Sequence, residues 1–501
     1  MQYVEKEVSA RGSSTVFLTL ILLLVLSLLF TLLEGVRMQG LKYNADQDCE
    51  LAAESLLAEY CTPLLERYHL FLLDAGFGGG ELDLEQTSET VMELLRDNAG
   101  ENESVLSGYF NLYRIQPVSC EITDYQVITD QDGDAFYELV TDSMKSNLSQ
   151  EAAETIYQRL QEADATNRQA GDTNERRNDA MDSLAEAEKE NTESSENMTV
   201  FVQEKPENPI AYIADWKNTG ILTLVGVNET SMSKQAVETS QNLENRSKEN
   251  GTIKVSSADQ SWYERILFQE YLMKYFSSYT AQKENTALQY ELEYIIAGGG
   301  TDKENLATVA TRLLAIREAA NFVYLQTDRG KCSEALTLAT LLIGYLGNPV
   351  LVKVMQEGIL AAWAFAESVS DVKSLLQGEK IPLIKTSSEW STDVTNLNRN
   401  QQFRASEHCE KGMDYRDYLR ILLYLGKRST QCFRAMDLME QNICLLSGYE
   451  TIRMDTMLDK LAFSCTYKAN PLFLTFVTVG SITKDSYQWN LDQYGTYLQN
   501  E

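Results

Sequence analysis

The sequence predicts an α+β fold, mainly α, carried on a single N-terminal transmembrane helix, and three observations lead there. One uninterrupted apolar run near the start is as long as a bilayer is thick. Over most of the chain apolar residues recur at three- and four-residue steps, the period of helices. Alternation of period two is confined to a stretch near 107–140 and another near 461–479, so any sheet is small.

The 501 residues are 44% hydrophobic and 9% aromatic, ordinary values for a chain that buries a core. Forty-three Lys and Arg against 74 Asp and Glu leave a net charge of −31. That balance argues against nucleic acid as a partner, because neutralising phosphates needs clustered cations. Only two histidines, His69 and His408, are present, which excludes mechanisms that need several imidazoles.

Residues 1–12 form a short tail with Lys6 and Arg11. Ser13 to Leu33 (SSTVFLTLILLLVLSLLFTLL) follows without a charge. At helical rise its 21 residues span roughly 31 Å, the thickness of a hydrocarbon core. The run exceeds a secretory h-region and no small-x-small cleavage site follows Leu33, so it reads as a retained anchor. Basic residues flank it almost equally. The N-terminus is placed in the cytoplasm because a short tail is a poor candidate for the functional side. Ala335–Gly347 and Ile359–Ala366 are apolar too, but Asn348-Pro349, Lys353 and Glu357 break them. They read as core helices.

Region 34–140 is a membrane-proximal helix plus a small β-containing part. Leu51, Leu56, Leu57, Tyr60, Leu64, Leu65 and Tyr68 make a helical stripe that Pro63 should divide. Gly35 and Gly40 are its weak points, and Gly76-Phe77-Gly78-Gly79-Gly80 ends it. Tyr109 to Ile128 suggests two or three short strands. Asp130-Gln131-Asp132-Gly133-Asp134 misplaces the Gly and the final Glu of a calcium loop, so a hairpin turn is the plainer reading.

Region 141–204 is an acidic mobile or helical linker; residues 81–204 hold 29 acids against 8 bases. In 205–260 an apolar segment, Pro209–Val227, must dock, and 228–260 reads as a second linker. Region 261–501 is a mainly helical bundle domain with closing strands at 461–479. Within it Thr301-Asp302-Lys303-Glu304 is a capping box. The helix that follows carries the stripe Leu306, Val309, Leu313, Ile316, Ala320 and Val323. Arg317, Glu318 and Asn321 interrupt its other face as buried polar partners.

The eight cysteines contain no CxxC pair, so neither a zinc site nor a thioredoxin-type centre is expected. Cys49 and Cys61 lie about 18 Å apart along one helix, beyond disulfide reach. Buried thiols are the plain reading for most of them. GxSxG and HExxH are absent, and no catalytic residue, cofactor or metal is expected.

The start, Gly12-Ser13-Ser14-Thr15-Val16-Phe17-Leu18 running into the leucine-rich span, resembles TadE/TadG-like proteins of the tight-adherence (Flp) pilus system. Further segments resemble an uncharacterised Gram-positive family of membrane-anchored proteins found with such pilus loci. They are Glu54–Tyr60 with Leu64–Tyr68, Tyr290–Gly298, Arg317–Phe322, Trp363–Leu376 and Ala435–Leu438, so the resemblance touches most of the chain. It implies a pseudopilin-like, single-pass, extracytoplasmic cell-surface protein without catalysis, whose partners are the lipid bilayer and other membrane or pilus-assembly proteins. It also implies a processing site between Gly12 and Ser13. Prepilin peptidase substrates carry Glu at the fifth residue after the cut, where this chain has Phe17, and the departure predicts that the site is not used. Two alternatives stand beside this reading. One is an anchored ligand-binding or sensing ectodomain; the other is an anchored glycan hydrolase using a carboxylate pair.

Overall fold

The computed structural model describes residues 9–99, 112–165, 168, 208–210, 216, 219–228, 230, 232–254, 261–395, 397, 412–474 and 486–497. The chain is mainly helical with one small sheet, and its N-terminal helix is long and apolar. It forms two compact units from interleaved pieces. Met1–Gln131, Glu249–Val255 and Thr451–Glu501 make the first; Asp132–Lys248 and Ser256–Glu450 make the second.

In the first unit, helix α1 (Ser9–Ala58) runs unbroken for 50 residues. Gly35 and Gly40 do not interrupt it. At Gly40 a Cβ would sit 2.4 Å from the Tyr113 ring, so this glycine permits a close approach. As Pro63 predicts, the helix stops, and α2 (Thr62–Tyr68) restarts with the proline in its first turn. Strand β1 (Leu73–Asp74), α3 (Leu84–Asn98), β2 (Gln116–Val127), β3 (Met457–Ala469) and β4 (Tyr487–Thr496) complete the unit.

β3 is the central strand: β2 pairs along one edge, β1 and β4 along the other, all antiparallel. Leu461, Phe463, Cys465, Tyr467 and Ala469 alternate onto one face. They meet Leu41, Ala45, Cys49, Ala52, Ala53 and Leu56 of α1, with Val91 and Leu95 of α3. The residues of α1 that touch the sheet are mostly small, which lets the helix backbone come close.

Three expectations change here. Residues 116–127 form one long strand rather than two or three short ones, because β3 pairs with it along nearly its whole length; residues 100–111 lie outside the described residues. The stretch after Asp130 is not a hairpin turn. Gln131, Asp132 and Gly133 take positive φ (51°, 59° and 85°) and lead into α4 (Asp130–Lys145). Of the closing stretch expected at 461–479, the described strand residues belong to β3, which pairs with β1, β2 and β4 and so completes the first unit instead of closing a helical domain; residues 475–485 lie outside the described residues.

The second unit contains most of α4 and a helix α5 at 150–165. α5 takes up the early part of the acidic region. Ala153, Leu160 and Ala163 are buried, and Tyr157 stacks on Trp262 at 5.0 Å. The remainder of that region, 169–207, lies outside the described residues. In Pro209–Val227 a short helix α6 (Ile221–Leu224) buries Leu222, and Val225 beside it is buried too.

The stretch expected to be a linker at 228–260 is tied down in both units. Val237 N–H donates to Gly300 O, and Leu243 N–H donates to Asp437 Oδ1. Arg246 makes two 2.6 Å hydrogen bonds to Glu440. Within the first unit, Thr252 and Ile253 donate to Tyr125 O at the edge of the sheet. Backbone and side-chain hydrogen bonds replace the missing apolar residues.

The other helices are α7 (Trp262–Tyr275), α8 (Glu291–Ala297), α9 (Asp302–Thr327), α10 (Arg329–Ile343), α11 (Pro349–Leu376), α12 (Tyr415–Leu425) and α13 (Arg428–Cys444). Thr301 caps α9 by accepting from Glu304 N–H. The expected stripe is buried from Leu306 to Ala320. α11 packs against α9 and α10. It is long and apolar enough to cross a membrane, but it is mostly buried inside the protein and carries ionised core residues.

Candidate functional site

At the sequence-predicted processing site, Gly12 and Ser13 lie in the first turns of α1. Downstream, Val16 to Leu33 presents bare apolar surface, with Phe17 65% exposed. Water would not tolerate a continuous face of this size, whereas hydrocarbon would.

Immediately beyond the run, two charged residues are buried: Glu34 is 2% exposed and Arg37 7%. Arg37 Nη1 donates to Glu34 Oε1 at 2.7 Å and to Asn470 O at 3.1 Å, while its Nε donates to Leu112 O at 2.6 Å. Glu34 Oε2 accepts the Phe473 N–H at 2.7 Å. Phe30, one turn before Glu34, stacks on Phe473 with ring centres 6.5 Å apart. Each charge is neutralised and hydrogen-bonded, as burial requires. The arrangement clamps the chain after β3 onto the helix where its apolar part ends. Arg37, with Lys42, is among the basic residues that follow the apolar run, and its i, i+3 spacing from Glu34 is the signal in the sequence for this pair.

The second unit holds a fully buried charge cluster between α9 and α11. Arg317, Glu367, Asp371 and Lys385 have fully buried side chains. Arg317 Nη2 lies 2.9 Å from Asp371 Oδ2, and Lys385 Nζ reaches both Asp371 and Glu367. Burial alone would raise the Asp371 pKa, but the Arg317 guanidinium and the Lys385 ammonium outweigh it and hold it low. Asn321 donates to Asp371 and Ser368, and Arg317 donates to Tyr418 Oη at 3.0 Å. Glu367 accepts from the backbone and hydroxyl groups of Ser391 and Thr392. Arg317 and Asn321 thus pair as the sequence suggested, while Glu318 stays partly exposed. Asp371, the acid that meets them, lies 54 residues from Arg317 and 50 from Asn321, beyond the reach of local pattern.

Three further acids hold the turn between α7 and α8. Glu291 accepts from Ser277 N–H at 2.7 Å and from Asn442 at 2.6 Å. Glu293 accepts from Tyr279 N–H at 2.9 Å and Tyr415 Oη at 2.7 Å. Asp302 accepts from the N–H groups of Gln289 and Tyr290. Burial pushes Glu293 up to about 7, and Asp437 also to about 7. A carboxyl in that range could exchange protons at neutral pH. Yet Glu293 is 0% exposed and Asp437 3%, and both accept backbone N–H groups. The geometry makes them fasteners of loops rather than groups presented to a substrate. Among the described residues, no group of three or more His, Cys, Asp and Glu is placed to hold a metal ion.

A family model described as a family of unknown function (DUF5702) matches residues 201–469, more than half of the chain. No curated protein and no solved structure matches it.

Proposed function

The chain belongs to the family of unknown function DUF5702, and we propose that it is a non-catalytic protein anchored in the cell membrane by α1. In this reading the N-terminus is cytoplasmic and both units stand outside the cytoplasm. Its role is that of a component or accessory of a tight-adherence-type pilus or related cell-surface assembly, with helices α7 to α13 forming a bundle domain that meets other assembly proteins. One observation carries the proposal. A single helix is bare and apolar through Leu33, and from Leu41 onward the same helix is the central support of the sheet. Such a protein is fixed rigidly to its membrane, which suits a part that positions others. The resemblance of Gly12–Leu18 to TadE/TadG-like starts supplies the pilus assignment.

The buried state of the charge clusters supports a structural use of the acids over a hydrolase, whose two carboxyls must face a sugar. Deletion of the gene from a piliated host tests the assignment. Loss of surface pili, restored by the full-length chain, is expected. Unchanged piliation would leave the anchored ectodomain reading in its place.

A further inference from the structure

Three thiols from three distant parts of the sequence converge in the core of the first unit. Cys120 lies on β2, Cys465 on β3 and Cys49 on α1. Cys120 and Cys465 are direct partners across the antiparallel ladder. Residues so placed have Cα atoms about 4.5–5.5 Å apart, inside the window a disulfide needs. Their sulfurs are 2.9 Å apart, within about 0.9 Å of the ~2.05 Å bond length. On the other side, Cys49 belongs to the same buried cluster as Cys465, and its sulfur lies 3.4 Å from Oη of Tyr467, two residues along the same face of β3. Cys120 is half-buried, whereas Cys49 and Cys465 are 1% and 0% exposed. A small oxidant therefore reaches Cys120 first.

We propose that these residues form a thiol–disulfide exchange centre in which Cys465 bonds alternately to Cys120 and to Cys49. Oxidation starts when the Cys120 thiolate attacks a small disulfide, giving a mixed disulfide and releasing one thiolate. The Cys465 thiolate then displaces the second, forming the Cys120–Cys465 bond, so one disulfide is reduced to two thiols as one protein disulfide forms. Exchange needs no further oxidant. The Cys49 thiolate attacks Cys465, the Cys49–Cys465 bond forms, and Cys120 leaves as a thiolate that takes up the proton Cys49 gave up. One state staples β2 to β3; the other staples the anchor helix to β3.

The disulfide pool that would oxidise the protein in the cell rests on the extracytoplasmic reading above; the exchange chemistry does not. The test uses the full-length protein purified in detergent, incubated with excess glutathione disulfide, quenched with acid, alkylated with N-ethylmaleimide and mapped by peptide mass. For the wild type we expect a bond from Cys465 to Cys120 or Cys49, with one of the three thiols alkylated. The wild-type map should contain the Cys49–Cys465 bond beside the Cys120–Cys465 bond; Cys49→Ser should keep only the Cys120–Cys465 bond, and Cys120→Ser, which lacks the entry thiol, should keep Cys49 and Cys465 alkylated. Three alkylated thiols in the oxidised wild type, absence of the Cys49–Cys465 bond from its map, or Cys49→Ser with Cys120 and Cys465 both alkylated would overturn the proposal. The same map on protein quenched in native membranes separates the two readings. Full alkylation there, with bonding in detergent, counts against the location and leaves the exchange centre standing.

Discussion

Glu293 shows at the scale of one residue how burial sets a pH dependence. Its carboxyl is held at about 7 in the folded chain, against ~4.3 when unfolded. Between those values the folded state keeps a proton that the unfolded state has released. Stability therefore falls as pH rises through that window, by roughly 4 kcal/mol, and the loss is complete above it. Glu293→Gln removes the titration while keeping an oxygen to accept from Tyr279 N–H and Tyr415 Oη. Thermal melting of the full-length protein in detergent at pH 5 and pH 8 should show a smaller drop for Glu293→Gln than for wild type. Equal drops would assign the pH dependence elsewhere. Asp371 has the opposite sign, being held low by Arg317 and Lys385. Asp371→Asn strands two buried cations on Glu367 alone and should cost about 3–5 kcal/mol. Replacing Arg317 and Asp371 together by Met and Leu should cost less than the two single changes combined, since no charge of that pair is left unmatched.

Among the elements, the stretch after Glu249 is held at the sheet edge by its backbone. Gly251 N–H donates to Asp130 Oδ1 at 2.9 Å, and a Cβ there would lie 2.5 Å from Tyr125 O. Gly251→Ala should release this stretch. Faster hydrogen exchange at Thr252 and Ile253, with β3 unchanged, is the expected result; unchanged exchange there would show that the edge yields to the methyl group. Elements differ in how far the sequence discloses them. The α1 span was legible because it is apolar on every side, and α9 because Leu306 to Ala320 keeps helical period. The face of α1 beyond the apolar run was legible only in part. Leu56 of the expected stripe is buried there, but most of the contacts are Ala45, Cys49, Ala52 and Ala53, which a pattern of large apolar residues passes over, and Leu51, another member of the stripe, is 50% exposed. β2 was hard to delimit because its partner β3 lies more than 300 residues later, and pairing, which the local pattern does not contain, sets a strand's length. The Glu34–Arg37 clamp and the Arg317–Asp371–Lys385 cluster share that reason: each is completed by residues remote in sequence.

For the whole molecule, the order of pieces matters more than any single contact. The first unit is opened after Gln131 and completed by Thr451–Glu501, with most of the chain between them. Folding of the first unit's sheet therefore waits for the C-terminal strands, because β3 is its central strand. Truncation before Met457 should leave α1 without its sheet and make that region sensitive to protease. Rapid cleavage between Leu41 and Val127 in the truncated chain, absent from the full-length protein, would show it. On the function proposed above, α1 is a permanent anchor, uncut at Gly12 and uncut after Leu33. N-terminal sequencing of the native protein from carbonate-washed membranes decides it. Recovery in the membrane pellet with the residues before Ser13 still attached is expected. A chain starting at Ser13, or a soluble chain shortened near Leu33, would contradict it.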